Sequence, residues 1–341
     1  MELMLKTEIF SYQPLSDKEF EQTIKSLSPL VPPLEQSPIW GTFDNAISGR
    51  KFLGSFRYDD ENGRLVALGS ATLYQQKGRN WIWFKHGPLF AQVPNTEMVK
   101  KMCATLKLQF GSHETKPIFI RLSCATQASP LRLPYEHTMY DETVIVDLAQ
   151  TEDELFAGMS QSGRQGVRRA LKAQVTVRKI TEEPAKFFRE HCYPILQETG
   201  TRDGFGIHPL SLYENFLNSL EGIAQLYVSG TDNDVEAWAI TTEYNNTAMY
   251  YYGGSSAKAH ETYAAYLLHW EIIKKMKDRG NQRYDFMGIA GEHYPALKNV
   301  TQFKTKFTKN IVKIPVTYDL PLQPAKYHII SGAVRLKRKL I

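Results

Sequence analysis

The sequence is poor in cysteine, and what it has is scattered. Cys103, Cys124 and Cys192 are odd in number and far apart, which excludes a disulfide framework and a zinc-binding cysteine cluster and leaves three thiols for core or surface positions. Long apolar runs are missing too. No window approaches the roughly 20 apolar residues of a membrane-spanning helix. The N-terminal MELMLKTEIFSYQPL lacks a cationic start followed by an apolar stretch, so the chain is expected in the cytosol. No low-complexity tract and no short-period repeat occurs. No set of His, Cys, Asp and Glu has metal-ligand spacing, so neither a metal nor another cofactor is expected.

What is present is ordinary globular material: 42% apolar residues, with aromatics at 12%, in a chain of 341 residues that is long enough for two cores. The net charge of +5 is too small to announce a nucleic-acid binder. Its placement says more, because SGRQGVRRALKAQ (162–174) and RLKRKLI (335–341) contain no Asp or Glu. In the first of these, Arg164, Arg168 and Lys172 recur at i, i+4 and i+8, one stripe of a helix, with Arg169 beside it. Such a stripe is either a solvated face or a track for phosphates.

The order of elements suggests a duplication. Strand-like segments at 51–59, 64–76 and 80–90, the first two joined by Asn62-Gly63, precede a helix at 95–111 and a strand at 117–123. DLAQTEDE (147–154) reads as a strand end running into a helix start, with Thr151 and Glu154 as a capping box, and sets a domain boundary near residue 149. Beyond it, helices at 152–172, 182–198, 209–221 and 262–278 are interspersed with strands at 175–180, 224–230, 236–245, 247–255 and 283–288. Two successive halves of helices and antiparallel hairpins predict an α+β fold. The second half follows the order of GNAT-type acyltransferases, in which one strand splays from its neighbour and the following helix opens toward an anion. At that junction, YYYGGSSAKAHETYAAY (250–266), the internal glycine of a pyrophosphate-binding loop is missing, which weighs against an acyl-CoA donor.

Several segments, QSPIWGTF (36–43), KHGPLF (85–90), RQGVRRALKAQVTV (164–177), ETGTRDGFGIHPLSLY (198–213), residues 250–291 and FKTKF (303–307), together resemble the Fem peptidyltransferases FemA, FemB and FemX. That family moves amino acids from aminoacyl-tRNA onto the stem peptide of peptidoglycan precursors. The resemblance covers roughly residues 36–320 and implies two tandem GNAT-like domains. Domain 1, on the precursor side, would be 1–149 plus 320–341; domain 2, with catalysis and tRNA, would be 150–319. Residues 180–225 have room for two ordinary helices, so the chain is similar to the short FemX-like members without a coiled-coil arm.

The resemblance implies Lys304, Phe303 and Tyr252 as catalytic residues. An ammonium in a water-poor cleft stabilises negative charge developing on the ester carbonyl or the departing ribose oxygen, and an adjacent ring stacks on adenine or excludes water. It further implies Trp40, Arg202, His208, Tyr213, Gly253, Gly254 and Ser255 in substrate binding, and Arg164, Arg168, Arg169 and Lys172 against tRNA. From pattern alone, FKTKF also reads as an edge strand with solvated lysines. Strand alternation places Tyr250 and Tyr252 on one face and Tyr251 on the other. Gly253-Gly254 serves either close approach of a substrate or a bulge. Asp285, on the strand after the long helix, is either a base or the partner of an arginine.

Two positions depart from the family members that use a UDP-linked precursor. Asp44 stands where they have lysine, and His208 where they have arginine, so two cations expected at a diphosphate are lost unless Arg202 or His208 compensates. A carboxylate at position 44 is expected to repel the diphosphate, which favours the lipid-linked precursor; the terminal RLKRKLI is then either a solvated tail or a contact for the inner membrane surface. The implied activity is transfer of Ala, Ser or Gly to build the interpeptide bridge. An acyl-CoA N-acyltransferase and a catalytically silent tRNA- or precursor-binding protein stay open beside it.

Overall fold

The computed structural model describes residues 9–27, 32–76, 78–136, 139–203, 206–292 and 297–339. The chain divides into two compact units, residues 1–139 with 315–341, and residues 140–314. The division precedes the boundary expected near 149 because Glu142–Asp147 is a strand of the second unit, paired with Arg283–Ile289 and Ile311–Lys313.

In the first unit, β1 (Ser11–Leu15), β2 (Arg50–Asp59), β3 (Leu65–Gln76), β4 (Arg79–Trp83), β6 (Phe119–Cys124) and β14 (Val316–Pro321) lie side by side in that order, and β5 (Leu89–Phe90) pairs with β3. The Asn62-Gly63 signal makes the β2–β3 turn, with Gly63 at φ +72, a value its missing side chain permits. Helix Thr96–Phe110, capped by Asn95, lays Val99, Met102, Cys103 and Leu106 on the sheet at helical spacing. All three cysteines are buried and free.

The second unit orders its strands β13 (Ile311–Lys313), β7 (Glu142–Asp147), β12 (Arg283–Ile289), β11 (Thr247–Ser255), β10 (Ala237–Tyr244), β9 (Ala224–Gly230) and β8 (Thr176–Ile180). The Thr151–Glu154 capping box forms as expected. The helix expected over 152–172 breaks at Met159-Ser160, because Ser160 starts a second helix, Gln161–Lys172, by accepting the Gly163 N–H. The long helix Ala264–Asp278 buries Leu267, Leu268, Ile272, Ile273 and Met276 on the sheet. A shorter one, Ala257–Thr262, precedes it, separated by Tyr263 in the left-handed region at φ +61.

Candidate active site

The surroundings of Lys304 begin with a parting of strands. β11 and β12 pair in parallel only over Thr247–Met249 and Arg283–Asp285. Past these residues β11 stays with β10 as far as Ser255, while β12 continues along β7. It does so through a bulge. The register slips between Asp285 and Gly288, and Met287 adopts φ +58, a conformation a long side chain seldom takes. The Asp285 carboxylate fixes the turn by accepting the Met287 N–H at 2.6 Å and the Thr143 hydroxyl. Two carbonyls at this turn accept from Lys304, whose Nζ donates to Gly288 O at 2.7 Å and Met287 O at 3.2 Å.

Lys304 closes the helix Lys298–Lys304 and is 6% exposed. Burial lowers its ammonium to about 7, with Asp285 opposing the shift. Aromatic rings wall it in. The Tyr250 ring centre is 5.8 Å from Nζ, and Phe303 meets Tyr266, His269 and Phe307 edge-on. His269 is buried among them with Nδ1 3.0 Å from the Tyr284 hydroxyl; burial first, and Lys304 second, bring it down to about 3, so the imidazole is neutral at physiological pH. Burial raises the Tyr250 and Tyr284 phenols, which therefore stay protonated. FKTKF is thus the end of a helix and a turn, not an edge strand: Phe303 and Phe307 pack on the core and Lys304 turns inward between them.

Tyr252 faces elsewhere. The β10–β11 register shifts so that Ile240 opposes Tyr252 and Thr241 opposes Tyr250, which leaves Tyr251 as a bulge. Alternation therefore fails here. Tyr250 packs on His269 beneath the long helix, whereas Tyr252 packs edge-on against Tyr213 and Phe216 of helix Leu210–Ser219, and Tyr251 joins it on Phe216. Gly253 and Gly254 are required by the chain's own side chains. A Cβ on Gly253 would fall 1.9 Å from the Tyr250 hydroxyl, and one on Gly254 would fall 2.8 Å from the Trp238 indole nitrogen.

The other expected substrate contacts of this unit gather on the Tyr252 side. His208 lies beside Tyr213, ring centres 6.2 Å apart, and burial pushes the Tyr213 phenol up to about 12. The Ser255 carbonyl accepts from Arg202 and Thr199, each at 3.1 Å, which ties β11 to helix Tyr193–Asp203. At the adjoining start of helix Ala257–Thr262, Glu198 accepts the Ala257 N–H at 2.9 Å and Ser256 caps Ala259. A carboxylate therefore stands where a GNAT loop offers its N–H groups to pyrophosphate.

The basic helix Gln161–Lys172 abuts the Lys304 turn. Ser160 N–H donates to Lys306 O at 2.9 Å, and a Cβ on Gly163 would fall 2.6 Å from that same oxygen. Gly163, Gly166, Val167 and Ala170 face inward. Arg164 donates to the Ala157 and Met159 carbonyls, and Arg169 donates to the Tyr263 hydroxyl with its guanidinium over that ring. Arg168 lies over Phe156 and Lys172 is exposed. Among the described residues no carboxylate pairs with any of the four within 4.0 Å.

Trp40 belongs to the first unit, where Gln36 locks two of the quoted segments together. Its side chain donates to Lys85 O at 2.8 Å and accepts the Ser70 N–H at 2.9 Å. Lys85 Nζ lies 4.5 Å over the Trp40 ring and 3.5 Å from the buried Glu35 carboxylate. Asp44 is 1% exposed, paired with Arg50 at 3.0 Å and accepting the Thr72 hydroxyl at 2.7 Å. This corrects the expectation that its charge would repel a diphosphate, since Arg50 neutralises it inside the fold.

Sequence reasoning singles out neither His269 nor Glu198. His269 carries one faint signal: it stands on the inward stripe with Ile272, Ile273 and Met276, at i+3, i+4 and i+7.

Comparison with known proteins agrees with the quoted segments from residue 164 onward. The FemAB family model matches residues 131–235 and 237–335. Over 93 residues the chain is 30% identical to the aminoacyltransferase FemB of Staphylococcus epidermidis, covering 27% of this chain and 22% of that protein. Over 105 residues it is 31% identical to the lipid II:glycine glycyltransferase of Staphylococcus aureus, covering 30% and 24%. The aligned part of the chain thus spans between a fifth and a quarter of the length of these curated relatives. A crystal structure of FemX superposes with a TM-score of 0.74 at 15% identity, over 94% of this chain and all of that one, which shows the duplicated GNAT-like α+β fold without a long helical arm.

Proposed function

This chain belongs to the FemAB family, and from that premise we propose that it is an aminoacyltransferase that moves a small amino acid, Ala, Ser or Gly, from aminoacyl-tRNA to an amine on the stem peptide of a lipid-linked peptidoglycan precursor. The observation that carries this reading is Lys304, buried at the parting of β11 and β12 and held by two carbonyl oxygens. In aminolysis of the ester, the acceptor nitrogen bonds to the carbonyl carbon, the bond to the ribose oxygen breaks, and the proton lost by the amine ends on that oxygen. A lysine ammonium has three donors. Two hold the bulge carbonyls, and the third serves the oxyanion or the departing ribose oxygen. With its titration near 7, Lys304 can give up a proton to that oxygen and regain one within a turnover. Phe303 and Tyr250 keep the site dry, which strengthens the interaction.

The basic helix beside the Lys304 turn supports a tRNA donor, because phosphates that follow it would lead the aminoacylated end toward Lys304. Glu198 weighs against acyl-CoA, since a pyrophosphate at the helix start would meet its carboxylate. A silent binding protein has no use for a lysine whose desolvation costs stability. Glycine and a lipid-linked acceptor are the first pair to try, by analogy with the relative named for them.

The test supplies glycyl-, alanyl- or seryl-tRNA, or acetyl-CoA, each with lipid-linked or UDP-linked precursor, and reads the product by mass. One aminoacyl residue added from tRNA supports the reading; acetylation alone, or binding without turnover, rejects it.

A further inference from the structure

The terminal helix Pro324–Lys339 has one face anchored and one left in water. Its inner face packs through Tyr327, whose hydroxyl donates to the buried Asp319 at 2.9 Å and whose ring meets Phe119 and Tyr135, with Ile330 and Val334 beside it. Gln323, just before the helix, donates to Lys116 O at 2.7 Å. These contacts fix the rotation of the helix and therefore fix what points away. Ile329 is 72% exposed and Leu336 62%, and with exposed Ala333 they follow i, i+4 and i+7, a single outward stripe. Isolated exposed apolar residues need no explanation, but an aligned set on the outer face of a docked helix does.

The charge pattern says what kind of surface would cover it. Residues 324–339 contain five cations, Lys326, Arg335, Lys337, Arg338 and Lys339, and no Asp or Glu. Of these, Lys326, three residues before Ile329, is exposed and borders the stripe. An apolar line on a segment whose only charges are cations fits the boundary between anionic headgroups and acyl chains, where apolar residues leave water and cations stay with phosphate. Among the described residues no helix is long and apolar enough to cross a membrane, so the contact would be peripheral.

We propose that the outer face of helix Pro324–Lys339 docks on an anionic lipid surface, through Ile329, Ala333 and Leu336 with Lys326 beside them. Its purpose rests on the lipid-linked acceptor proposed above, whereas its existence does not. The test therefore uses vesicles without precursor or tRNA, so that the enzyme reading can fail while docking holds, and the reverse. The full chain is sedimented with phosphatidylcholine vesicles, with and without phosphatidylglycerol. Binding is expected to the anionic vesicles only and to weaken with salt. Ile329→Ser with Leu336→Ser should lower it by about tenfold. Both positions are exposed, and an unchanged melting curve of the variant would show that the fold is kept. Lys326→Gln with Lys337→Gln should abolish most of the preference for anionic lipid. No binding to anionic vesicles overturns the proposal, as does equal binding by the serine variant. So does a concentration-dependent dimer of the wild type that the serine variant loses, since a second copy would then own the stripe.

Discussion

Lys85 in the first unit and Lys304 in the second are both withdrawn from water, but they are held differently. Lys85 lies 3.5 Å from the Glu35 carboxylate and over the Trp40 ring; burial lowers its ammonium while Glu35 and Asp44 raise it. Lys304 is held by two neutral carbonyls, with the Asp285 carboxylate engaged behind them by Thr143 and the Met287 N–H. A cation matched by its own carboxylate is spent on the fold, because removing either partner strands the other. A cation whose direct hydrogen bonds go to neutral carbonyls keeps charge to offer when a substrate develops the opposite sign. On this account Lys85 ties two segments together and Lys304 does chemistry.

The largest effect that would break this contrast is in the rate. Lys304→Met should lower turnover by about 10²–10³ with little change in acceptor KM, because the ammonium acts on charge that exists only in the transition state. The same variant should be at least as stable as the wild type. Wild-type stability should rise with pH from about 7 toward the ordinary lysine range, where the unfolded chain holds a proton that the folded chain does not, and that slope should vanish in Lys304→Met. Full turnover, or a destabilised variant, would show that Lys304 is structural.

Lys85→Met should do the reverse. It removes the Lys85 cation from the buried Glu35, whose neighbour His86, 3.6 Å away, is lowered by burial and neutral near pH 7, and should cost about 3 kcal/mol by chemical denaturation. Unchanged stability would put Lys85 in the same class as Lys304. The smallest effect concerns the basic helix. Arg168→Ala with Lys172→Ala should flatten the log–log salt dependence of aminoacyl-tRNA binding by roughly two units. Arg164→Ala, which removes a donor to two backbone carbonyls, should change stability instead. Equal salt slopes for both variants would make the helix a solvated face.

The sequence discloses these parts unevenly. The Asn62-Gly63 turn, the Thr151–Glu154 box and the long helix are local signals, and each is met by a local structure. The two bulges are not local. Nothing in YYYGG says that Tyr251 lacks a cross-strand partner, so Tyr252 turns away from Tyr250 against simple alternation. Nothing in YDFMG says that Met287 takes a left-handed conformation and turns its carbonyl toward a lysine 17 residues on. Asp44 reads as an accessible charge until Arg50, six residues later, folds back on it. What sequence pattern misses here is the long-range pairing that satisfies a buried polar group.

The central claim, that the Lys304 ammonium drives aminoacyl transfer, is tested most directly by the single-turnover rate as a function of pH in the wild type and in Asp285→Asn. The wild-type rate should fall as pH rises through about 7, where Lys304 loses its proton. Asp285 is the group that raises the Lys304 titration, so its neutral replacement should move that fall to lower pH. A rate that stays flat or climbs through this range, or a fall that does not move in the variant, would contradict the claim.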